Sequence, residues 1–554
     1  MVKKYGADLI VDSLINHKVK YIFGIPGAKI DRVFDRLEHD SQSPQLVVTR
    51  HEQGAGFMAQ AVGRITGEPG VALVTSGPGV SNLATPLLTA TTEGDAVLAI
   101  GGQAKRSDRL KRVHQSMDNA AMLAPASKYA AEIVDPETLS ETIANAYREA
   151  KFGRPGATFL SVPQDVTDSE VSEEAIKPLP EFKSGVVSSE DIDALSAAIK
   201  KAALPVILVG ARGSDEKVAA SLHQLLSEVS IPVVETFQGA GVISRDLEEN
   251  FFGRVGLFRN QPGDILLKKA DLVIAIGYDP IEYEAKNWNV DGDSNIITID
   301  TTLAEIDNYY QPECELIGDI SQTLKNLLTT IQGYELSKES LAYLKSLKEG
   351  LVQDAFDTGT AADGRLHPLE LVQAFQEIVK DDETVTVDVG SVYIWMARYF
   401  KSYKPRHLLF SNGMQTLGVA LPWAISAALL RPGKKVYAHS GDGGFLFTGQ
   451  ELETAVRLHL PIVQIIWSDG HYDMVKFQEE KKYGRAAGVD FGHVDYVKYA
   501  ESMGAKGYRV TNKEELKSVL ASIPESTGPV VIEVAVDYSD NGKLADALLP
   551  DEFY

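Results

Sequence analysis

Two aspartates, Asp442 and Asp469, each stand where a short apolar run gives out, and they carry the most chemistry in this chain. Val436-Tyr-Ala-His-Ser-Gly-Asp-Gly-Gly-Phe445 and Ile462-Val-Gln-Ile-Ile-Trp-Ser-Asp-Gly470 read as neighbouring parallel strands. The apolar spacing from Leu446 to Leu458 predicts a helix between them. Open α/β sheets bind ligands beyond the carboxyl ends of their strands, so the two carboxylates could share one hard cation there, with a diphosphate completing its octahedron. Gly443 and Gly444 would let the backbone approach an oxygen-rich ligand, and a following helix offers free N–H groups to phosphate. Gly-Asp-Gly alone is more often a surface turn. The second strand ending in Asp is what favours a magnesium-diphosphate site.

A third carboxylate follows another apolar run. Leu46-Val-Val-Thr49 leads into Arg50-His-Glu-Gln-Gly-Ala-Gly56, which puts Glu52 at a helix start. A negative charge there is an ordinary helix stabiliser. Gly54 and Gly56 leave open the alternative that a ligand or a second helix comes close. Thr75-Ser-Gly-Pro-Gly79 and Ile100-Gly-Gly102 end further strands on the same edge, and together these loops outline a long groove.

The elements that must hold these residues fall into three blocks. Strands are expected at Tyr21 to Gly24, Leu46 to Thr49, Val71 to Thr75, Val97 to Ile100 and Thr158 to Ser161 in the first. The second has Val206 to Val209, Pro232 to Glu235, Leu272 to Ile276 and Ile296 to Ile299. The third has Val385 to Val387, Leu408 to Phe410, Val436 to Ala438, Ile462 to Trp467 and Val530 to Val534. Alternation with amphipathic helices predicts an α/β protein of three doubly wound parallel-sheet domains, at residues 1–170, 188–340 and 360–554. Thr167 to Asp191 reads as a polar linker, and the charged stretch from Ser337 to Asp363 as helix and linker. The outer blocks have the look of diverged copies of one architecture.

Composition narrows the function. A chain of 554 residues suits three domains rather than one core. Its formal charge of −23 argues against nucleic acid and anionic membranes as partners, so an anionic substrate would need local positive charge. No apolar run reaches membrane-spanning length, and Met1-Val-Lys-Lys-Tyr-Gly-Ala-Asp lacks a secretory pattern, which predicts a cytoplasmic protein. The single cysteine, Cys314, excludes an internal disulfide or cysteine-based metal cluster and is read as packing.

These features, with Phe23-Gly-Ile-Pro-Gly-Ala-Lys-Ile30, His114-Gln-Ser-Met-Asp118, Phe410-Ser-Asn-Gly-Met-Gln-Thr-Leu-Gly418 and Tyr472-Asp-Met-Val-Lys-Phe-Gln-Glu479, resemble the thiamine-diphosphate-dependent decarboxylases and carboligases, and within them the catabolic acetolactate synthases. The resemblance spans the whole chain and implies a pyrimidine-binding, a central and a diphosphate-binding domain. It assigns Glu52 to ring nitrogen N1′ of the aminopyrimidine, where a carboxyl favours the tautomer that removes the thiazolium C2 proton. Leu417 would bend the cofactor, although a lone Leu is ordinarily core. Backbone groups of Gln415 and Leu417 would hold the pyrimidine. Pro26, Gly27, Ser76, Gly390, Ser391, Asn412, Gly413, Met414, Gly441, Gly443, Gly444, Tyr472, Met474 and Val475 complete the implied cofactor contacts.

The same resemblance implies that Mg2+ is held by Asp442, Asp469 and the main-chain carbonyl of His471. Asp469 stands where the commoner pattern has Asn and keeps an oxygen ligand. The implied reaction joins two pyruvate molecules into 2-acetolactate with loss of CO2, through a hydroxyethyl carbanion-enamine. Gln115 and Lys29 are the expected catalytic partners for pyruvate, a surface lysine otherwise being merely solvated. His114, Met474 and Gln478 would line the pocket with them. His114 replaces a family Phe, and Gln478 replaces the Trp of biosynthetic relatives, which favours pyruvate as acceptor. Val209-Gly-Ala-Arg-Gly213 is an incomplete dinucleotide fingerprint, and Gly277-Tyr-Asp-Pro-Ile-Glu-Tyr283 replaces the usual flavin loop. A structural central domain is therefore preferred, with FAD left open because Arg154 falls in a segment that relatives use near flavin. A homodimer or dimer of dimers with sites between subunits is implied. The rivals are another 2-oxoacid decarboxylase, a pyruvate oxidase, or a non-catalytic scaffold that retains the fold.

Overall fold

The computed structural model describes residues 3–180, 182–256, 261–351, 364–525 and 528–544. The predicted start of the third block at 360, its end at 554, the connection from 352 to Asp363 and the first two residues lie outside them.

Three six-stranded sheets follow one another along the chain, and their strand pairings are parallel. The first contains β1 (Tyr21–Gly24), β2 (Gln45–Val48), β3 (Gly70–Val74), β4 (Val97–Gln103), β5 (Tyr129–Glu132) and β6 (Ala157–Pro163). Its order is β2-β1-β3-β4-β6-β5. The second contains β7 (Pro205–Val209), β8 (Val233–Glu235), β9 (Phe251–Arg254), β10 (Leu272–Ile276), β11 (Ile296–Asp300) and β12 (Cys314–Ile317), in the order β12-β11-β10-β7-β8-β9. The third contains β13 (Thr384–Val387), β14 (Leu408–Phe410), β15 (Val436–Gly441), β16 (Ile462–Ser468), β17 (Lys506–Val510) and β18 (Val530–Ala535), in the order β14-β13-β15-β16-β18-β17.

Interior strands such as β3, β4, β6 and β10 are buried at every position, as continuous apolar runs covered by helices on both faces must be. The outer sheets are wound identically, which agrees with their reading as two versions of one architecture. Their topologically equivalent helices, Glu52–Thr66 and Ala420–Leu430, pack on each other, and Ser426 Oγ donates to the Met58 carbonyl at 2.8 Å. The second of these helices is apolar all round, which suits an element buried between two domains.

The helix predicted from Leu446 to Leu458 is broken and starts earlier. It consists of Asp442–Thr448, a 3₁₀ turn Gly449–Glu451 and Leu452–Arg457. The break puts the Glu451 carboxylate where it accepts the backbone N–H groups of Arg50 and His51, each at 3.0 Å. A contact with the first domain thus overrides local periodicity. The polar linker predicted from Thr167 to Asp191 overlaps the helices Gln164–Thr167 and Ser189–Lys201 at its two ends, and the helix expected in the charged stretch after Ser337 is present at Lys338–Leu351. Among the described residues no helix is long and apolar enough to cross a membrane.

Candidate active site

In the third sheet the strand order reverses between β13 and β15, which opens a crevice beyond their carboxyl ends. Asp388, Val389 and Gly390 rise from β13 on one side, and Asp442 begins a helix beyond β15 on the other. Asp442 Oδ1 accepts the Gly443 N–H at 2.9 Å. Its Oδ2 accepts Gly470 N–H at 2.8 Å, Asp469 N–H at 3.1 Å and Ser468 Oγ at 3.3 Å. These bonds tie the ends of β15 and β16 together and bring Asp469 beside Asp442. Burial, then repulsion from Asp442 and Asp473, pushes the Asp469 carboxyl up to about 8. Burial also raises Asp442. Neither carboxylate has a salt-bridge partner among the described residues. A divalent cation is a group whose charge would favour the ionised form of both.

No cluster of three or more His, Cys, Asp or Glu side chains arranged for a metal occurs among the described residues. The expected ligand set has two carboxylates and a main-chain carbonyl, so it needs outside oxygens such as those of a diphosphate. His471 turns its ring away, with Nδ1 2.7 Å from Asp490 Oδ1. The backbone around it is pinned by Tyr472 N–H to Val489 and Phe491 N–H to Gly470.

The glycines divide into two kinds. A Cβ on Gly443 would stand 2.7 Å from the Tyr472 ring, and one on Gly444 would stand 2.7 Å from Asp388 Oδ2. The close approach that they permit is thus to the chain itself. Gly390, Gly441 and Gly470 face open space, with nothing within 4 Å of an added Cβ. Gly390 also has φ +138°, a conformation that side chains resist. Ser391 Oγ donates to Asp473 at 2.6 Å, and Asn541 donates to both. Tyr472 and Val475 are exposed, Met474 is half-buried, and Gln478 is buried one helical turn from Met474.

The loop after β14 completes this side. Asn412 is buried, accepts the Tyr393 hydroxyl and donates to the Glu282 carbonyl. Met414 and Gln415 are exposed, Gln415 is left-handed at φ +48°, and Leu417 is half-buried. Gly418 N–H donates to Asp388 Oδ1 at 2.8 Å. Asp388, whose Oδ2 is buried without a partner among the described residues, is pushed up to about 7 by burial. Sequence reasoning passed over it, although Asp388-Val-Gly390 ends an apolar strand just as the Asp442 segment does.

The first sheet reverses between β1 and β3, and the loops carrying Pro26, Gly27, Lys29 and Ser76 lie beyond those strands. Glu52 opens the helix Glu52–Thr66, with His51 as its cap. Its Oε2 accepts Asn82 Nδ2 at 2.9 Å. Sequence gave no sign of Asn82, whose partner is 30 residues away. Gly54 packs against Glu451 and Gly56 against Pro86, so the small residues serve internal packing. Ser76 Oγ donates to the Gln115 carbonyl at 2.6 Å, and Gln115 is left-handed at φ +57° over Gly77. His114 is exposed, whereas Lys29 is half-buried and without an ion pair among the described residues. Among these residues no hydrogen bond or ion pair joins Glu52 to Asp442, Asp469 or Gln415.

In the central sheet the strand order reverses between β7 and β10, and the loops beyond those strands are bridged by ion pairs and hydrogen bonds. Arg212 pairs with Asp300 at 2.7 Å and Asp279 at 3.2 Å, and Glu282 accepts Ala211 N–H at 2.9 Å and the Thr236 hydroxyl. Arg154 meets Asp279 at 2.9 Å and donates to the Thr92 carbonyl at 2.7 Å.

Two acid-bearing crevices on sheets of one winding, flanking a third α/β domain, agree with the comparisons. Residues 4–122 match the N-terminal TPP-binding domain of thiamine pyrophosphate enzymes, 192–327 their central domain and 388–534 their C-terminal TPP-binding domain. The chain belongs to the thiamine pyrophosphate enzymes. It is 52% identical over 553 residues to the acetolactate synthase of Bacillus subtilis (strain 168), covering 100% of this chain and 97% of that one. It is 46% identical over 548 residues to the catabolic acetolactate synthase of Raoultella terrigena, covering 98% and 97%. A probable acetolactate synthase large subunit of Methanocaldococcus jannaschii is 31% identical, covering 96% and 92%. Within its class the chain is thus a member of the acetolactate synthase family.

Proposed function

We propose that this protein condenses two pyruvate molecules into 2-acetolactate and CO2, with thiamine diphosphate and Mg2+ as cofactors. The observation that carries this reading is likeness to acetolactate synthases along essentially the whole chain. When bound, thiamine diphosphate supplies the electron sink for decarboxylation. Asp442, Asp469 and the His471 carbonyl would hold the metal, and the open ground over Gly390, Gly441 and Gly470 would take the diphosphate. Glu52 would exchange a proton with the pyrimidine N1′. Asn82 fixes one Glu52 oxygen and leaves the other for that task. Gln415 and Leu417 would shape the pyrimidine seat. Gln115, anchored by Ser76, and Lys29 would receive the pyruvate carboxylate, with His114, Met474, Val475 and Gln478 around the acceptor.

The central domain acts in this reading as a structural spacer without flavin, a reading supported by the incomplete dinucleotide fingerprint at Val209 to Gly213 and by Arg212 being engaged with Asp279 and Asp300. The working unit is a homodimer or dimer of dimers, with Glu52 from one subunit serving a cofactor held by its partner. The exposed Met414, Leu446 and Phe447 side chains beside the third-domain crevice support this. Incubation with pyruvate, thiamine diphosphate and Mg2+ should yield acetolactate, which gives acetoin in acid. Acetaldehyde alone, or oxygen consumption, would assign the chain to another reaction. Mixed inactive Glu52→Gln and Asp442→Ala chains should regain activity. Failure despite proven subunit exchange would rule out shared sites.

A further inference from the structure

The loop between Ser411 and Gly418 is held on its outer side by a carboxylate from a different domain. Glu93 ends the helix Ala84–Glu93 and its side chain is wholly buried. Its Oε1 accepts Ser411 Oγ at 2.6 Å and Met414 N–H at 3.2 Å. Its Oε2 accepts Arg64 Nη2 at 2.7 Å and Gln60 Nε2 at 3.4 Å. Arg64 is locked in turn by Asp95, at 2.5 and 2.7 Å, and donates to the Phe410 carbonyl at 3.0 Å, where the loop begins. Ser411 Oγ passes the link inward by accepting Thr416 N–H at 3.1 Å, and Thr416 Oγ1 lies 2.9 Å from Thr89 Oγ1 on the same helix. At Gly413 even a Cβ would press on Glu93, at 3.0 Å. The loop is thus fastened at Phe410, Ser411, Met414 and Thr416, and between and beyond these points it presents Gln415, in its left-handed turn, and Leu417.

We propose that Glu93 is a positioning residue for the reaction: from the first domain it sets the conformation of the loop that gives thiamine diphosphate its reactive shape. This rests on the reading that Gln415 and Leu417 seat the pyrimidine and bend the cofactor. All four groups around Glu93 are donors, and only an ionised carboxylate accepts from every side. A glutamine must turn its NH₂ either toward Arg64 or toward the loop, and so loses one set. Losing this acceptor releases Ser411 Oγ and, next to Gln415, Met414 N–H, while Phe410 stays bound to Arg64 and Thr416 to Thr89.

The same helix pair also reaches Glu52. Asn82, between Pro78–Ser81 and Ala84–Glu93, holds the Glu52 carboxylate, so one short stretch of chain touches both the acid and the loop. With sites shared between subunits, that stretch would connect two neighbouring active sites.

The test uses the full-length protein saturated with thiamine diphosphate and Mg2+, in the variants Glu93→Gln, Ser411→Ala and Leu417→Ala. Loss of a charge-assisted hydrogen bond should lower kcat about tenfold in Glu93→Gln and less in Ser411→Ala. The KM for pyruvate should stay unchanged, while the near-ultraviolet circular dichroism of the bound cofactor changes in both. Wild-type kcat and dichroism in both, beside an impaired Leu417→Ala, would overturn the role of Glu93 alone. A fully active Leu417→Ala would overturn the underlying reading of the loop. If Glu93→Gln does not fold, Ser411→Ala decides, since it leaves the Arg64 pair intact. Lowered stability in Ser411→Ala with unchanged kcat and dichroism would make the contact merely structural, and refute the proposal.

Discussion

Replacing Glu52 by Gln separates two roles that a carboxylate at the start of a helix can have. As a first-turn negative charge it contributes roughly 0.3–1 kcal/mol to helix stability. As the proton-exchanging partner of the cofactor it should contribute roughly 10²–10⁴-fold to turnover, or about 2.7–5.4 kcal/mol of barrier. The two ranges do not overlap. The structure makes the substitution clean, because the amide oxygen of Gln can still accept the 2.9 Å bond from Asn82 while its NH₂ replaces the oxygen that would face the pyrimidine. Packing should also hold, since Gln matches Glu in shape. We therefore expect thiamine diphosphate to bind, urea unfolding to change by less than about 1 kcal/mol and acetolactate formation, followed as acetoin after acid treatment, to fall at least a hundredfold. A loss of activity below about tenfold would place Glu52 outside proton transfer. A fall in unfolding free energy as large as the rise in barrier would make it a structural residue instead.

Other outcomes follow from the same geometry. Asp442→Ala should strand four donors, the N–H groups of Gly443, Asp469 and Gly470 and the Ser468 hydroxyl, at up to about 1–3 kcal/mol each, and abolish calorimetric uptake of thiamine diphosphate with Mg2+; uptake at wild-type affinity would move the metal elsewhere. Chelating divalent ions should stop turnover in the wild-type protein until Mg2+ is restored, and undiminished turnover in chelator would exclude a metal tether. Gly390→Ala should lose roughly 1–3 kcal/mol in urea unfolding from backbone strain alone, since φ is +138° and no atom stands within 4 Å. Burial holds His439 down at about 3 against its ordinary 6.5, so the unfolded chain takes up the proton first and stability, complete above 6.5, drains away as pH falls. By about pH 4.5 the loss should approach roughly 2.7 kcal/mol, and His439→Gln should flatten that dependence in urea titrations at the two pH values.

What the sequence revealed and what it concealed follow from burial and distance. Interior strands such as Leu272–Ile276 and Pro205–Val209 announce themselves as unbroken apolar runs because both faces are covered. The unforeseen strands, Tyr129–Glu132, Phe251–Arg254, Cys314–Ile317 and Lys506–Val510, all lie at sheet edges, where charged and small residues interrupt the pattern. Asp442 and Asp469 were legible because each ends an apolar run, and the hydrogen bonds across the two strand ends bring them together. Asn82 and Glu93 were not, since what makes them interesting is a partner far along the chain: 30 residues for one, 318 for the other. The broken helix after Asp442 belongs with them, because its bend answers to Arg50 and His51 rather than to its own residues.

The first and third sheets share one winding and meet through matching helices, so each chain holds two versions of one architecture side by side. Duplication of that kind gives spare capacity. Each rim could give up tasks that its twin retained, one drifting toward proton handling at Glu52 and the other toward anchoring charge at Asp442. The division of labour proposed above then needs no invention beyond two copies growing unlike each other.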